Sequence, residues 1–393
     1  MSTWPAITHE QRDWEPKFDT GRLADMIAAT YTAAVPADIA GLSVDIDSDT
    51  AAICREAATE ITRFDSELGT EIGPFATILL RSESASSSEI EQLTATAKRV
   101  LMAESGDTSR GNATLIASNT AAMTAALDMA DNVTGDNILA LHRALLGDKH
   151  PDWAGRWRTE PVWIGGGAAG PQNAVYVAPH HERVPALMED LAQFANRADI
   201  EPLTKALIAH AQFETIHPFP DGNGRTGRAL IHSMLRHDRL TINVTVPVSA
   251  GLLTETDRYF QALGAYRDGN PNPIVELGAV ASLHAVQNGR QLAREMAEAR
   301  AEWNNKLRSV RSDSVVWKIV DTLIERPVLD AQRADRGDQT RHADHQDQAP
   351  PVAGSERAAV CAATDRGHAR TALVIRVAML RSCTVNCSSS SVR

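Results

Sequence analysis

The chain concentrates reactive side chains in one stretch, Ile216-His217-Pro218-Phe219-Pro220-Asp221-Gly222-Asn223-Gly224-Arg225-Thr226-Gly227-Arg228. It holds one histidine, one carboxylate, three glycines and two arginines. Pro-Asp-Gly-Asn-Gly is a turn signal, and glycine admits positive φ at little cost. Successive backbone N–H groups in such a turn form a concave nest for an anion. A helix starting after it aims its free N–H groups and positive dipole end at the same point. Arg225 and Arg228, three residues apart, can both face that nest. A polyphosphate fits such a site. Asp221 is placed to hold Mg²⁺ against it, because Mg²⁺ prefers one carboxylate plus phosphate oxygens and water. His217 on the same loop is the candidate general base.

Two helices must position this loop. Leu203, Leu207, Ile208, Ala211 and Ile216 repeat at helical spacing before it, and Ala229, Leu230, Met234 and Leu235 after it. The spacing predicts helices over about 202–237, joined by the motif turn.

The stretch resembles the Fic/DOC family, whose signature reads His-x-Phe-x-[Asp/Glu]-Gly-Asn-Gly-Arg-x-x-Arg; every fixed position matches. The resemblance covers about residues 50–280 and implies an all-α, Fic-type helical bundle with a small β-hairpin flap. It implies protein adenylylation: transfer of AMP from ATP to a Ser, Thr or Tyr hydroxyl of a target protein, or of the chain itself, with Mg²⁺ as cofactor. His217 would be the base and Asp221 the Mg²⁺ holder. Gly222, Asn223, Gly224, Arg225, Thr226, Gly227 and Arg228 would bind the nucleotide phosphates, with Phe219 an apolar anchor for the loop. The family places adenine against the helix after the motif, which makes Tyr259 and Phe260 candidates for stacking.

Upstream, Ser86-Ser87-Ser88-Glu89-Ile90-Glu91-Gln92 reads on its own as a serine-rich helix N-cap with favourable glutamates. Against the family's inhibitory pattern, [Ser/Thr]-x-x-x-Glu-[Gly/Asn], Ser87 and Glu91 match and Gln92 departs. The resemblance implies that Glu91 pairs with Arg228 and blocks the productive pose of the γ-phosphate. Between them, Trp157 to Gly165 and Ala174-Val175-Tyr176-Val177-Ala178 read as two short strands around a glycine-rich turn. In the family this is the flap that registers a target backbone by strand addition.

Composition bounds the rest. The chain has 393 residues, 43% of them apolar, and a net charge of −11, enough for a core and unfavourable for non-specific nucleic-acid or anionic-membrane binding. Met1-Ser-Thr-Trp-Pro lacks the basic start of a leader, no apolar run approaches a membrane span, and Cys54 stands alone in the first 360 residues. The expectation is a cytoplasmic protein with no membrane or DNA partner, and a homodimer among the options.

Residues 1–50 read as an irregular arm with a short helix. Residues 51–285 read as the Fic domain with its inhibitory helix, the core being 135–285. Within it we expect a helix over 51–67 capped near Asp47–Thr50, and an extended or strand-like run over Thr241–Val248. The pair His180-His181 reads as a solvated loop. Residues 286–330 read as C-terminal helices leading into a possible winged helix. Residues 331–393, arginine-rich and without lysine, read as a tail without fixed structure, an aberrant terminus being one account. Three alternatives stay open: removal of AMP from a modified protein, transfer of another phosphate-linked group, and a nucleotide-sensing regulatory or DNA-associated protein.

Overall fold

The computed structural model describes residues 4–14, 29–68, 73–107, 109, 111–166, 170–314, 316–317 and 320. The expected winged-helix continuation beyond these and the 331–393 tail lie outside the described residues. The described part is all-α with two small antiparallel hairpins. Its elements are β1 (Thr8–Trp14), β2 (Ala29–Val35), α1 (Ser48–Leu68), α2 (Gly73–Ile90), α3 (Ala97–Glu104), α4 (Gly111–Asp128) and α5 (Gly135–Leu146). They continue with β3 (Trp163–Ile164), β4 (Tyr176–Val177), α6 (Val184–Ala195), α7 (Pro202–Ile216), α8 (Asn223–His237), α9 (Val248–Leu253), α10 (Thr256–Arg267) and α11 (Asn272–Lys306).

The bundle is built around α7. The sequence predicts one apolar face there, but every residue from Leu203 to Ile216 is buried. Helices α1, α6, α8, α10 and α11 all pack against it, so it is enclosed on all sides. Its polar residues have partners: Lys205 Nζ bonds Arg197 O at 2.6 Å and Asp238 at 2.9 Å. Glu201 caps its start, accepting from Leu203 N and Thr204 N, with Pro202 in the first turn. Gly278 of α11 lies so close to Leu207 that a Cβ there would collide with its side chain.

One local expectation holds. The α1 start is capped by Asp47, whose carboxylate accepts from Thr50 N at 2.8 Å. Helix α5 is capped by Thr134, accepting from Asn137 N. The long C-terminal helical stretch is α11, which runs without a break through residue 285.

Three others are corrected. Among the described residues, the N-terminal segment before α1 is a hairpin where an irregular arm with a short helix is expected. In it Thr8 pairs with Val35 and Trp14 with Ala29. Tyr31 and Ala33 point inward while Thr30 and Thr32 point out, a strand alternation that seven residues state only weakly. Trp14 packs edge-on against Trp163 at 5.4 Å, pinning this hairpin to the second one. Next, Thr241–Val248 forms no strand. Asp65 of α1 accepts from Asn243 N, Asn243 Nδ2 and Val244 N, taking the place of a strand partner while Val244 and Val246 stay buried. Finally, Ser86–Ser88 do not cap a helix start; they lie in the last turns of α2.

No helix among the described residues is long and apolar enough to cross a membrane.

Candidate active site

Helix α7 ends where its residue after the last turn, His217, turns left-handed at φ 51°. The chain then runs through the motif loop and re-enters a helix at Gly222, φ 78°. A side chain at Gly222 would be strained by that φ and would press on Leu146 and Leu145. The loop is stapled by Asn223: its Oδ1 accepts from Phe219 N at 2.9 Å and its Nδ2 donates to Phe219 O at 2.8 Å. Phe219 is fully buried and stacks on His142 with ring centroids 3.6 Å apart. His142 takes a proton on one nitrogen only. Its Nδ1 accepts from Gly155 N at 2.9 Å, so Nε2 donates to Asp221 O at 3.0 Å. Burial holds this ring neutral by lowering its pKa to about 4.

The His217 imidazole has Nδ1 turned to Glu214, 3.4 Å from its carbonyl and 3.8 Å from its carboxylate. This leaves Nε2 to face the site. Burial, with the Arg267 and Arg158 cations, lowers the His217 pKa to about 4, so the ring is neutral and able to accept a proton near pH 7. Glu214 behaves oppositely: burial raises its pKa to about 7.

The N-terminus of α8 carries the anion-binding groups. Arg225 is buried, yet its Nε and Nη1 have no hydrogen-bond partner. Its nearest carboxylate oxygen, on Asp221, is 3.8 Å away. Asp221 is 64% exposed and accepts from Gly222 N at 2.6 Å. Thr226 is buried with its hydroxyl unpartnered. Gly227 lets α8 approach α7: a Cβ there would sit 2.8 Å from Glu214 Oε1 and 2.9 Å from Phe213.

Arg228 is held by the end of α2 and the residue after it. Its Nε donates to Ser87 Oγ at 2.9 Å, and its Nη2 donates to Ser87 O at 2.7 Å and Glu91 Oε1 at 2.9 Å. The Glu91 carboxylate also lies over Gly224, where any Cβ would collide with it. Helix α2 reaches this place because it closes in a Schellman turn. Leu93 N bonds Ser88 O, Gln92 N bonds Glu89 O, and Gln92 is left-handed at φ 60°. One turn back from Ser87 along the same stripe, buried Glu83 accepts from Ser249 N at 2.8 Å and lies 2.8 Å from His232 Nε2 of α8. Glu83, Ser87 and Glu91 thus face His232, Arg228 and Gly224 as a polar ladder.

The flap strands are two residues each, Trp163 pairing Val177 and Ile164 pairing Tyr176. Val175 is 86% exposed, whereas Tyr176 and Ala178 are buried and Ala174 and Val177 are half-buried. Tyr259 is buried, its hydroxyl 2.9 Å from His210 Nε2, so its ring belongs to the packing behind the motif. Phe260 is 54% exposed. His180 and His181 are half-buried, and no group of three or more metal-binding side chains occurs among the described residues.

Residues 132–235 match the sequence model of the Fic/DOC family. They form a Fic domain. Among curated proteins the chain is similar to protein adenylyltransferase fic-1 of Caenorhabditis elegans, 31% identical over 160 residues, which is 40% of this chain and 28% of that protein. It is also similar to protein adenylyltransferase Fic of Nematostella vectensis, 25% identical over 196 residues, 45% of this chain and 41% of that protein. The chain thus spans less than half the length of these relatives. A crystal structure of a Fic family protein from Desulfovibrio desulfuricans G20 shares the fold, with a TM-score of 0.55 at 24% identity over 75% of this chain and 88% of that one.

Three side chains that support the Fic loop escaped sequence reasoning: His142, Glu214 and Arg158. None of them belongs to a motif that marks it out from its neighbours. Only Glu214 gave a usable hint, as a carboxylate three residues before the motif histidine.

Proposed function

We propose that this chain is a protein adenylyltransferase held in check by its own Glu91. The observation that carries the reading is the pairing of a neutral His217 with an α8 N-terminus whose Arg225 has two buried, unpartnered N–H-bearing nitrogens. Unpaired buried donors are costly in a folded protein, and polyphosphate oxygens are the partners this geometry would take.

In this reading ATP lies across the N-terminus of α8. His217 Nε2 takes the proton of the target hydroxyl as that oxygen attacks the α-phosphorus. The bond to the bridging oxygen breaks and pyrophosphate leaves. Arg225 and the backbone N–H groups of the turn stabilise the phosphate charge, so the protein's part is mainly positioning and electrostatics. Asp221 fits Mg²⁺, because its exposed carboxylate has room for phosphate and water ligands. A bound Mg²⁺ would neutralise charge on the α- and β-phosphates. The exposed edge at Val175 is suited to a target backbone, with Phe260 the better placed of the two adenine candidates.

The Glu91–Arg228 pair would hold the γ-phosphate binder in a non-productive contact. The pair is desolvated on the arginine side, where charge-assisted bonds are strongest. Within this account the protein works in the cytoplasm and needs no DNA. The homodimer expectation is testable by sedimentation. Transfer of label from α-phosphate-labelled ATP with Mg²⁺ tests the activity. Label arising instead from another nucleotide, or release of AMP from modified protein without transfer, would replace this reading by one of its two enzymatic alternatives.

A further inference from the structure

His217 adopts a backbone conformation that an L-residue resists. Left-handed φ is strained for a residue with a Cβ, and such strain persists only where the surroundings impose it. The central group in those surroundings is one guanidinium. Arg158 Nε donates to His217 O at 2.8 Å, and Nη2 to Ile216 O at 3.4 Å. The Arg158 backbone N–H donates to Pro218 O at 3.0 Å. Thr215 O, the preceding carbonyl, accepts from the Tyr176 hydroxyl at 2.5 Å. Four consecutive carbonyls, 215 to 218, are therefore held by Arg158, just before β3, and Tyr176 of β4. Carbonyls 215 to 217 belong to the set a helix end leaves without partners, and Pro218 O lies in the loop just beyond.

The same guanidinium also holds the flap. Nη2 donates to Pro179 O at 2.5 Å, just past β4, and Nη1 to Glu160 O at 2.9 Å, just before β3. Arg158 is buried, and no carboxylate among the described residues forms an ion pair with it. The titratable groups beside it are the phenols of Tyr176 and Tyr31, both kept neutral by burial, which raises their pKa values. A buried cation held only by carbonyls is a poor way to gain stability. It is a good way to fix several carbonyls in one plane, since the guanidinium is a rigid fork.

We propose that Arg158 is a positioning residue for catalysis: it locks His217 in its left-handed conformation and ties the aim of the imidazole to the seat of the flap. The role as base rests on the adenylyltransferase reading; the lock itself does not.

The test uses the full chain carrying Glu91→Gly, with Arg158→Lys, Arg158→Ala and Tyr176→Phe added singly. Arg158→Lys keeps the charge and loses the fork. Its kcat should fall about 100-fold, the scale of a one-ångström misplacement, while the Kd for ATP stays within about twofold. Tyr176→Phe removes one of the four holds and should lower kcat several-fold without changing the melting temperature appreciably. Added guanidinium, below denaturing concentration, should restore part of the Arg158→Ala activity. Independently of turnover, the His217 C2–H titration is followed by NMR. Arg267, Arg158, Glu214 and Glu91 surround that ring. Losing the Arg158 cation should move its midpoint up by about one unit in Arg158→Ala, and leave it near the parent value in Arg158→Lys. Full kcat in Arg158→Lys, or ATP affinity falling in step with kcat, overturns the proposal. If the Glu91→Gly parent transfers nothing, the adenylyltransferase reading fails. The His217 backbone chemical shifts then decide the lock alone: a left-handed signature unchanged in both Arg158→Lys and Arg158→Ala overturns it.

Discussion

Two arginines stand one helical turn apart on α8 in opposite conditions. Arg225 is buried with two of its nitrogens unpartnered and Asp221 loosely beside it. Arg228 is buried with a hydroxyl, a carbonyl and a carboxylate all drawn from the end of α2 and the residue after it. The same helix end is thus open at one side and closed at the other. An anion-binding turn and a helix dipole are present in both places, so they do not decide which arginine is available. What decides it is whether a second element brings a carboxylate. Under the proposed function, the site would be prepared for the inner phosphates and blocked at the outer one.

Breaking the open side should have the larger effect. Arg225→Ala removes donors aimed at developing phosphate charge and should lower transfer about 10²–10³-fold, measured in the Glu91→Gly background. Arg228→Ala in the same background should reduce transfer less, since the outer phosphate is remote from the bond that breaks. Equal losses would erase the distinction between the two sides.

Opening the closed side comes next. Glu91→Gly should raise transfer about 5–150-fold, the span of a 1–3 kcal/mol coupling. Glu83→Gln weakens the ladder one turn further along α2 and should raise transfer in the same direction by less. Added to Glu91→Gly it should have no further effect, because the brake it supports is gone.

Acid should act on both sides through stability. His142, His210 and His217 have folded pKa values of about 4, about 3 and about 4, lowered mainly by burial. Between pH 6.5 and 4.5 the unfolded chain protonates these three rings while the folded chain does not, which favours unfolding as pH falls. Glu214, raised to about 7 by burial, takes a proton only in the folded chain over that window and opposes them. The unfolded chain keeps the excess, so stability should fall by roughly 2–3 kcal/mol per pH unit. Melting temperatures at pH 7, 6 and 5 check this.

The smallest effect sharpens the closed side. Gln92 holds the left-handed position of the Schellman turn that ends α2. Gln92→Gly should add about 1 kcal/mol to stability. By firming the end of α2 it should lower basal transfer slightly, seen as a higher melting temperature with weaker labelling.

These contrasts also mark what the sequence made legible. Asp221, Asn223, Gly224 and both arginines share one short stretch, so their convergence is local. Helices α7 and α8 carried strong periodicity. Glu91 lies 137 residues from Arg228, and only the resemblance to a family pattern linked them. The preference of that pattern for Gly or Asn after the glutamate now has a physical cause, the positive φ at Gln92. The β1–β2 hairpin was missed because its pairing depends on Trp163 and the flap, not on its own seven-residue alternation. Thr241–Val248 looked like a strand because its apolar residues are buried, while its backbone partner is a carboxylate on α1. Arg158 was invisible for a different reason: all of its acceptors are main-chain carbonyls, which no side-chain pattern records.

The most direct test of the central claim is autolabelling with α-phosphate-labelled ATP and Mg²⁺. It compares the unaltered chain, Glu91→Gly, and Glu91→Gly combined with His217→Ala. The account predicts weak label in the first, strong label in the second, and loss of about 10²–10⁴-fold in the third with ATP still bound. Label that Glu91→Gly does not raise would contradict the brake. Strong label that survives His217→Ala would contradict the base.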